Sequence, residues 1–254
     1  MTGTIRLVVQ ADDLGMCRSV NEGIEHAIVD GIVTQTSVMA PTPWFVEGAT
    51  RIGRLGVTTG LHGTLTCEWR NLRWAPLSTG ATLRLDDGTM RRTVEDAAAS
   101  IDPTEALAEL RVQASRARAC GLDLAYVDCH MGISVAAAFA GACADLGVRF
   151  IYRGVEPHHV FDSLHVLSMT STDDLAARTA HFVEWLERLD DGVHFAMSHP
   201  AVASNELRAL SDASDDNAVW AEPWRVADLA ALTDPAVRDV VERRQIELVS
   251  IAEL

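Results

Sequence analysis

Ile5-Arg6-Leu7-Val8-Val9-Gln10-Ala11-Asp12-Asp13-Leu14-Gly15 runs from an apolar segment straight into charge. Residues 5–11 have the length and β-branched content of a buried strand. The run stops on two adjacent carboxylates, Asp12 and Asp13, followed by Gly15. Like charges at the end of a buried strand repel each other and resist desolvation, so the pair persists most easily where a cation or a proton is shared. Asp and Gly are also ordinary turn residues. What the rest of the chain delivers to the same place therefore carries the reading.

Strand and helix alternate through the whole sequence. Further strands are expected at 32–40, 57–62, 122–129, 148–152, 193–198 and 246–250, from their Val, Ile and Thr content and their flanking turn residues. Helices are expected after Gly15, at 44–55, from Asp102 to about 120, and at 134–146, 173–189, 225–232 and 234–244. Ser19 with Glu22 fits a reciprocal cap for the first helix, and Asp102 followed by Pro103 fits the start of another. Residues 64–103 form a long irregular stretch of the kind that serves as a lid or binding loop, while 157–170 and 203–221 read as irregular. The alternation predicts an α/β fold, a distorted (β/α) barrel of mostly parallel strands in one domain spanning 1–254. No glycine-rich dinucleotide fingerprint follows the first strand, which argues against a nucleotide-binding doubly wound sheet.

Composition narrows the function. The chain has 254 residues, 48% hydrophobic and 22% charged, with a net charge of −15. That balance suits a globular chain and disfavours partners that are nucleic acids or anionic membranes. All 21 basic side chains are Arg, so Schiff-base chemistry, pyridoxal-phosphate anchoring and a phosphate-loop lysine are excluded. An odd set of five cysteines without a Cys-x-x-Cys pair indicates neither a disulfide framework nor a structural zinc site. No run is long enough to span a bilayer and the N-terminus lacks a signal-peptide layout, so a cytoplasmic location is expected.

Asp13, His62, His130 and His199 each follow an apolar strand. In a parallel α/β architecture those points gather at the C-terminal end of the sheet, where active sites form. One carboxylate and two imidazoles are a common ligand set for a divalent ion. Asp12, left over when Asp13 takes the metal, has the chemistry of a general base, and His199 that of an acid or oxyanion stabiliser. Cys129 beside His130 reads as structural, because neighbours on a strand face opposite ways. His26, His158, His159, His165, His181 and His194 lack the strand-end placement and read as structural or exposed. Trp69 and Trp74 read either as a stacking platform for a sugar or as fasteners of the long loop. Arg225 is a candidate for binding a polar substrate group, whereas Arg73 reads as structural.

The motifs resemble the YdjC/ChbG-type carbohydrate deacetylase family. The matching pieces are Ala11-Asp12-Asp13-Leu14-Gly15-Met16, Val20-Asn21-Glu22-Gly23-Ile24, Gly60-Leu61-His62-Gly63-Thr64-Leu65-Thr66, Asp128-Cys129-His130-Met131-Gly132 and Ser198-His199-Pro200. Residues 67–77 are similar to one subgroup. The resemblance implies a distorted barrel, one divalent metal ion (Mg2+ or Zn2+), homodimers, and hydrolytic removal of acetyl groups from N-acetylated sugars. It implies Asp13, His62 and His130 as metal ligands, Asp12 as base, and His199 as the histidine of the His-Pro motif. Two positions depart from it: Gly132 stands where many members carry a second His, and Gly63 where a larger residue is usual. The substrate is therefore expected to differ from chitin oligosaccharides. A metal-dependent amidohydrolase of another small substrate and a non-catalytic sugar-binding barrel are the alternatives.

Overall fold

The computed structural model of the chain describes residues 3–133, 135–151, 161–169, 174–212, 214–215 and 217–254. Its strands are β1 (Ile5–Leu14), β2 (Gln35–Val38), β3 (Thr58–Gly63), β4 (Leu124–Cys129), β5 (Arg149–Phe150), β6 (Ser163–Val166), β7 (Gly192–Ser198) and β8 (Glu247–Leu248). Its helices are α1 (Arg18–Val29), α2 (Phe45–Leu55), α3 (Val94–Ser100), α4 (Pro103–Ala119), α5 (Ala136–Leu146), α6 (Arg178–Glu187), α7 (Asn205–Arg208), α8 (Ala218–Ala221), α9 (Pro223–Thr233) and α10 (Pro235–Arg243).

The strands form one sheet in the order β5-β4-β3-β2-β1-β7-β6, and every ladder is parallel. β1 lies inside the sheet between β2 and β7 and is buried almost throughout, as a strand covered by helices on its outer face must be. β7 runs along one edge of β1 from Ile5 to Ala11. On the other edge, β8 pairs with Arg6 and Leu7 while β2 pairs from Gln10 onward. Among the described residues no ladder joins β5 to β6, so the sheet curls into an open barrel. The α/β barrel expectation holds in this distorted form.

β1 does not stop at Ala11; it carries the acidic pair inside it. The β1–β2 register slips between Ala11 and Leu14, and Asp13 adopts φ 74°. A bulge of this kind re-aims side chains that would otherwise alternate across the sheet, and Asp tolerates the left-handed region better than a β-branched residue does. Asp12 and Asp13 therefore both reach the same end of the barrel. Gly15 follows at φ 102°, packed against the Phe45 backbone, where a Cβ would sit 2.9 Å from its Cα.

Several local expectations need correction. Ser19 lies inside α1, which starts after Cys17 with no side-chain cap. Its backbone N–H and hydroxyl reach Glu206 Oε2 at 3.0 and 3.1 Å, so a residue of α7 caps this helix from a distance. Along α2, Phe45, Ala49 and Ile52 are buried and Val46 is exposed. The stretch 157–170, expected to be irregular, contains β6 in its described part. The strand and helix ends expected at Tyr152, Ser134 and Asp173, and the histidines His158 and His159, lie outside the described residues. By contrast, Asp102 caps α4 as the sequence suggests, accepting the N–H groups of Thr104 and Glu105 with Pro103 in the first turn.

The long stretch 64–103 is no free lid. Cys67, Trp69, Trp74, Leu83 and Met90 are all buried. Glu109 of α4 accepts the N–H groups of Leu77 and Ser78 at 3.0 and 2.7 Å. Arg73 holds the carbonyls of Cys67, Trp69 and Met90 and the hydroxyl of Thr89. These bonds satisfy buried backbone groups that the irregular path would otherwise leave unpaired. The loop thus forms a fixed wall of the barrel mouth.

Candidate active site

At the C-terminal ends of the strands lies a cavity of about 250 Å3. Asp12, Asp13, His62, His130 and His199 all line it, together with Glu68, Asp128, Trp69, Trp220 and Arg225. Asp13 Oδ1 lies 3.3 Å from His62 Nε2 and 3.3 Å from His130 Nδ1, and the two imidazole nitrogens are 3.2 Å apart. All three residues are buried, and Asp13 Oδ1 has no hydrogen-bond partner among the described residues. Ligands bound at about 2.1 Å to one ion lie roughly 3.0 Å apart in octahedral geometry and roughly 3.4 Å in tetrahedral geometry. The triangle falls between these values, so the residues fit a divalent cation.

The remaining ring nitrogens are oriented by carboxylates, the usual support for a metal-binding His. His62 Nδ1 lies 2.7 Å from Asp128 Oδ1, and His130 Nε2 lies 2.9 Å from Glu68 Oε2. A second group, Asp12 with His62 and Asp128, also lies close together. Its carboxylates are already occupied: Gln10 Nε2 donates to Asp12 Oδ1 and Asp128 Oδ2, both at 2.6 Å, and Ser37 Oγ donates to Asp12 Oδ1 at 2.9 Å. That second group supports the triad.

Charge is distributed unevenly. Burial pushes the Asp13 carboxyl up, but Arg225 and the neighbouring His130 and His62 imidazoles outweigh it and hold the group well below the usual carboxylate range. Burial lifts Asp12, with Asp128 and Asp13 adding to the rise and His62 and His199 opposing it. Burial also depresses His62 and His130. Asp128 and Asp12 reverse this for His62, and Glu68 and Asp13 carry His130 up to about 9. For His199 burial prevails over Asp13 and Asp12, and its imidazole sits below its ordinary value. Adjacent carboxylates thus differ: Asp13 stays ionised, and Asp12 binds a proton more readily. Asp12 Oδ2 faces His199 Nε2 across 3.9 Å.

The other expected contributors take different places. Arg225 is buried, with Nη2 on Asp13 Oδ2 at 2.7 Å and Nε on the Trp220 carbonyl at 2.9 Å. Its main contact fixes Asp13, and Nη1 has no partner among the described residues. Trp74 does not line the cavity. Its indole N–H binds the Thr66 carbonyl at 2.9 Å, and its ring stands 6.4 Å behind that of His130. It fastens the loop, because a stacking face must be accessible. Trp69 lines the wall but is 1% exposed, with its N–H on Met16 Sδ. The half-buried tryptophan over the cavity is Trp220, edge-on to His199 at 5.8 Å.

Glu68, Asp128, Gln10 and Ser37 were not singled out by the sequence reading. Asp128 had a signal: it sits two residues before His130, at the end of the strand that delivers that histidine. Cys129 is buried, and burial pushes its thiol up to about 12, in keeping with a structural role. His194 is likewise structural, bonded to Ser163 Oγ and the Asp190 carbonyl, both at 2.8 Å, while His26 and His181 are exposed.

An open parallel barrel with carboxylates and imidazoles at its strand ends matches a known group of proteins. Residues 6–243 match the family of YdjC-like proteins, and the chain belongs to that family. It is 29% identical to a carbohydrate deacetylase of Brevibacillus brevis, over 98% of this chain and 100% of the relative. It is 27% identical to a carbohydrate deacetylase of Geobacillus stearothermophilus, over 97% and 96%. In fold it is similar to an Enterococcus faecalis protein described as a candidate for cellobiose-phosphate cleavage, with TM-score 0.79, 17% identity and 97% of both chains covered. A more distant likeness, TM-score 0.53 at 11% identity, links it to a peptidoglycan N-acetylglucosamine deacetylase over 100% of this chain and 90% of the other. Among the described residues no helix is long and apolar enough to cross a membrane.

Proposed function

We propose that the protein is a metal-dependent hydrolase that removes acetyl groups from N-acetylated carbohydrates. The observation that carries this reading is the Asp13–His62–His130 triangle beside the Asp12–His199 pair, in one cavity. The names of relatives matched over nearly the whole chain support it. Asp13, His62 and His130 would hold the ion, which when bound supplies Lewis-acid polarisation of a carbonyl and acidifies water.

The chain's own groups account for the proton movements. Asp12 Oδ1 is locked by Gln10 and Ser37, which leaves Oδ2 toward the cavity. Asp12 takes a proton from water as the water oxygen bonds to the acyl carbon. Asp12 Oδ2 passes that proton to His199 Nε2, which gives it to the amide nitrogen as the C–N bond breaks, so acetic acid and a free amine leave. Asp12 and His199 end the cycle in the protonation states in which they began it. Arg225 keeps Asp13 ionised, and its free Nη1 remains available to a polar substrate group. Trp220 offers the sugar an apolar face.

Acetate release from N-acetylated mono- and oligosaccharides tests this. Release is expected to stop with a chelator and to fall about 10²–10⁴-fold in Asp12→Asn, the usual worth of a general base. Undiminished release by Asp12→Asn would remove the base assignment. Saturable sugar binding with no release under any divalent ion would favour the sugar-binding alternative.

A further inference from the structure

Behind His199, on the side away from the cavity, runs a closed chain of polar groups. His199 Nδ1 lies 2.9 Å from Ser168 Oγ, and that hydroxyl lies 2.5 Å from Asp228 Oδ2. The same carboxylate oxygen accepts the His199 backbone N–H at 2.8 Å. Asp228 Oδ1 accepts Arg178 Nη1 at 2.7 Å. Ser168, Asp228 and Arg178 are all 0% exposed. They come from separate parts of the fold: Ser168 from the turn after β6, Arg178 from the start of α6 and Asp228 from α9. A buried ion pair of this kind is a weak source of net stability, so its placement against a functional histidine calls for another account.

A hydroxyl has one proton to give. Arg178, the His199 backbone N–H and the Ser168 hydroxyl converge on Asp228 as donors. Burial lifts the Asp228 carboxyl above the usual range, so its charge depends on those donors. With its proton committed to Asp228, Ser168 Oγ has only lone pairs left for His199. The imidazole must then donate from Nδ1, and Nε2 is the nitrogen that faces Asp12.

We infer that Ser168, Asp228 and Arg178 are positioning residues that hold His199 as its Nδ1–H tautomer and keep Nε2 as the lone-pair nitrogen that takes up the proton and delivers it. This rests on the role given to His199 in the proposed reaction. When Nε2 is protonated, the same chain places a carboxylate one hydroxyl away from the imidazolium. If the chain served packing alone, by tying β6, α6 and α9 together, the tautomer would not depend on it.

The test is long-range 1H–15N NMR of the histidine rings in the full chain loaded with Mg2+ or Zn2+, at about pH 8 where a histidine of ordinary or lower pKa is neutral. The His199 signals are assigned by their loss in His199→Gln. Wild type is expected to show the Nδ1–H tautomer. Ser168→Ala is expected to shift His199 toward Nε2–H and to lower kcat about 10²-fold with little change in KM. Asp228→Asn, which preserves shape and removes charge, is expected to act in the same direction and serves if Ser168→Ala does not fold. An Nε2–H tautomer in wild type, or variants that leave tautomer and kcat unchanged, would overturn the inference. The tautomer is read without turnover. A protein that releases no acetate but shows Nδ1–H would therefore refute the proposed reaction and leave the positioning chain standing.

Discussion

Replacing Asp128 with Asn probes how the site is held. Asp128 is buried, its Oδ1 is 2.7 Å from His62 Nδ1, and its Oδ2 accepts Gln10 Nε2 at 2.6 Å. Asn keeps the shape and can still accept from His62, but it removes the charge that makes His62 a better donor of electrons. Loss of such a supporting carboxylate lowers metal affinity about 10–100-fold, or about 1.4–2.7 kcal/mol. Asn also turns an N–H toward the Gln10 amide, which itself donates at this point. Gln10 cannot flip freely, because its Oε1 accepts Gln35 Nε2 at 2.6 Å. One buried donor is then left unpaired, at about 1–3 kcal/mol of stability. Titration of the apo protein with Zn2+ against a competing chelator reads the first quantity, and urea unfolding of the apo protein reads the second. Wild-type metal affinity in a folded Asp128→Asn protein would refute the view that His62 is a ligand oriented by this carboxylate.

Two further outcomes are expected. Burial lowers His165 to about 4, and its ring stacks on Trp185 at 4.7 Å. Because its folded pKa lies below the unfolded value, its stabilisation is present above about 6.5 and is lost as pH falls toward 4, so unfolding free energy should drop by about 1–2 kcal/mol from this group between pH 7 and 5. His165→Phe should blunt that acid sensitivity in urea-midpoint measurements; an unchanged pH dependence would contradict it. Gly63→Ala would place a Cβ 2.4 Å from Phe139 Cε1 and 2.8 Å from Leu110 Cδ2. Overpacking of this kind should destabilise by about 1–3 kcal/mol, and pairing it with Phe139→Leu should recover much of the loss; strict additivity in the double-mutant cycle would contradict the contact.

The parts of the fold that were legible are those in which local chemistry and tertiary role agree. Apolar runs ending in Asp13, His62, His130 and His199 mark strand ends, and a parallel sheet gathers strand ends at one side, so residues nearly two hundred positions apart could be placed together. Asp102-Pro103 likewise acts on its own neighbours, at the start of α4. β6 was not legible, because Ser163-Leu164-His165-Val166 is too short to show a period and takes its register from β7. The capping of α1 was misread, since Ser19 turns to Glu206, across the fold.

Within the site, the residues nearest the cavity were readable and their supports were not. Glu68 sits in an irregular loop and reaches His130 only because Arg73 and Glu109 fix that loop. Asp228 and Arg178 look like surface charges in a helical pattern, and only packing shows that they are enclosed. Trp74 and Trp220 illustrate the same limit. Sequence names the aromatic residues near a site, but exposure separates a wall from a platform, and exposure is set by distant elements.

Metal content of protein purified without chelator, compared between wild type and His130→Ala, bears on the whole reading of the strand-end cluster. About one divalent ion per chain is expected in wild type and none in a folded His130→Ala variant, since removing one of three buried ligands opens the site. A wild-type protein that takes up no divalent ion even after metal is added back, or a variant that retains the full complement, would contradict the assignment of Asp13, His62 and His130.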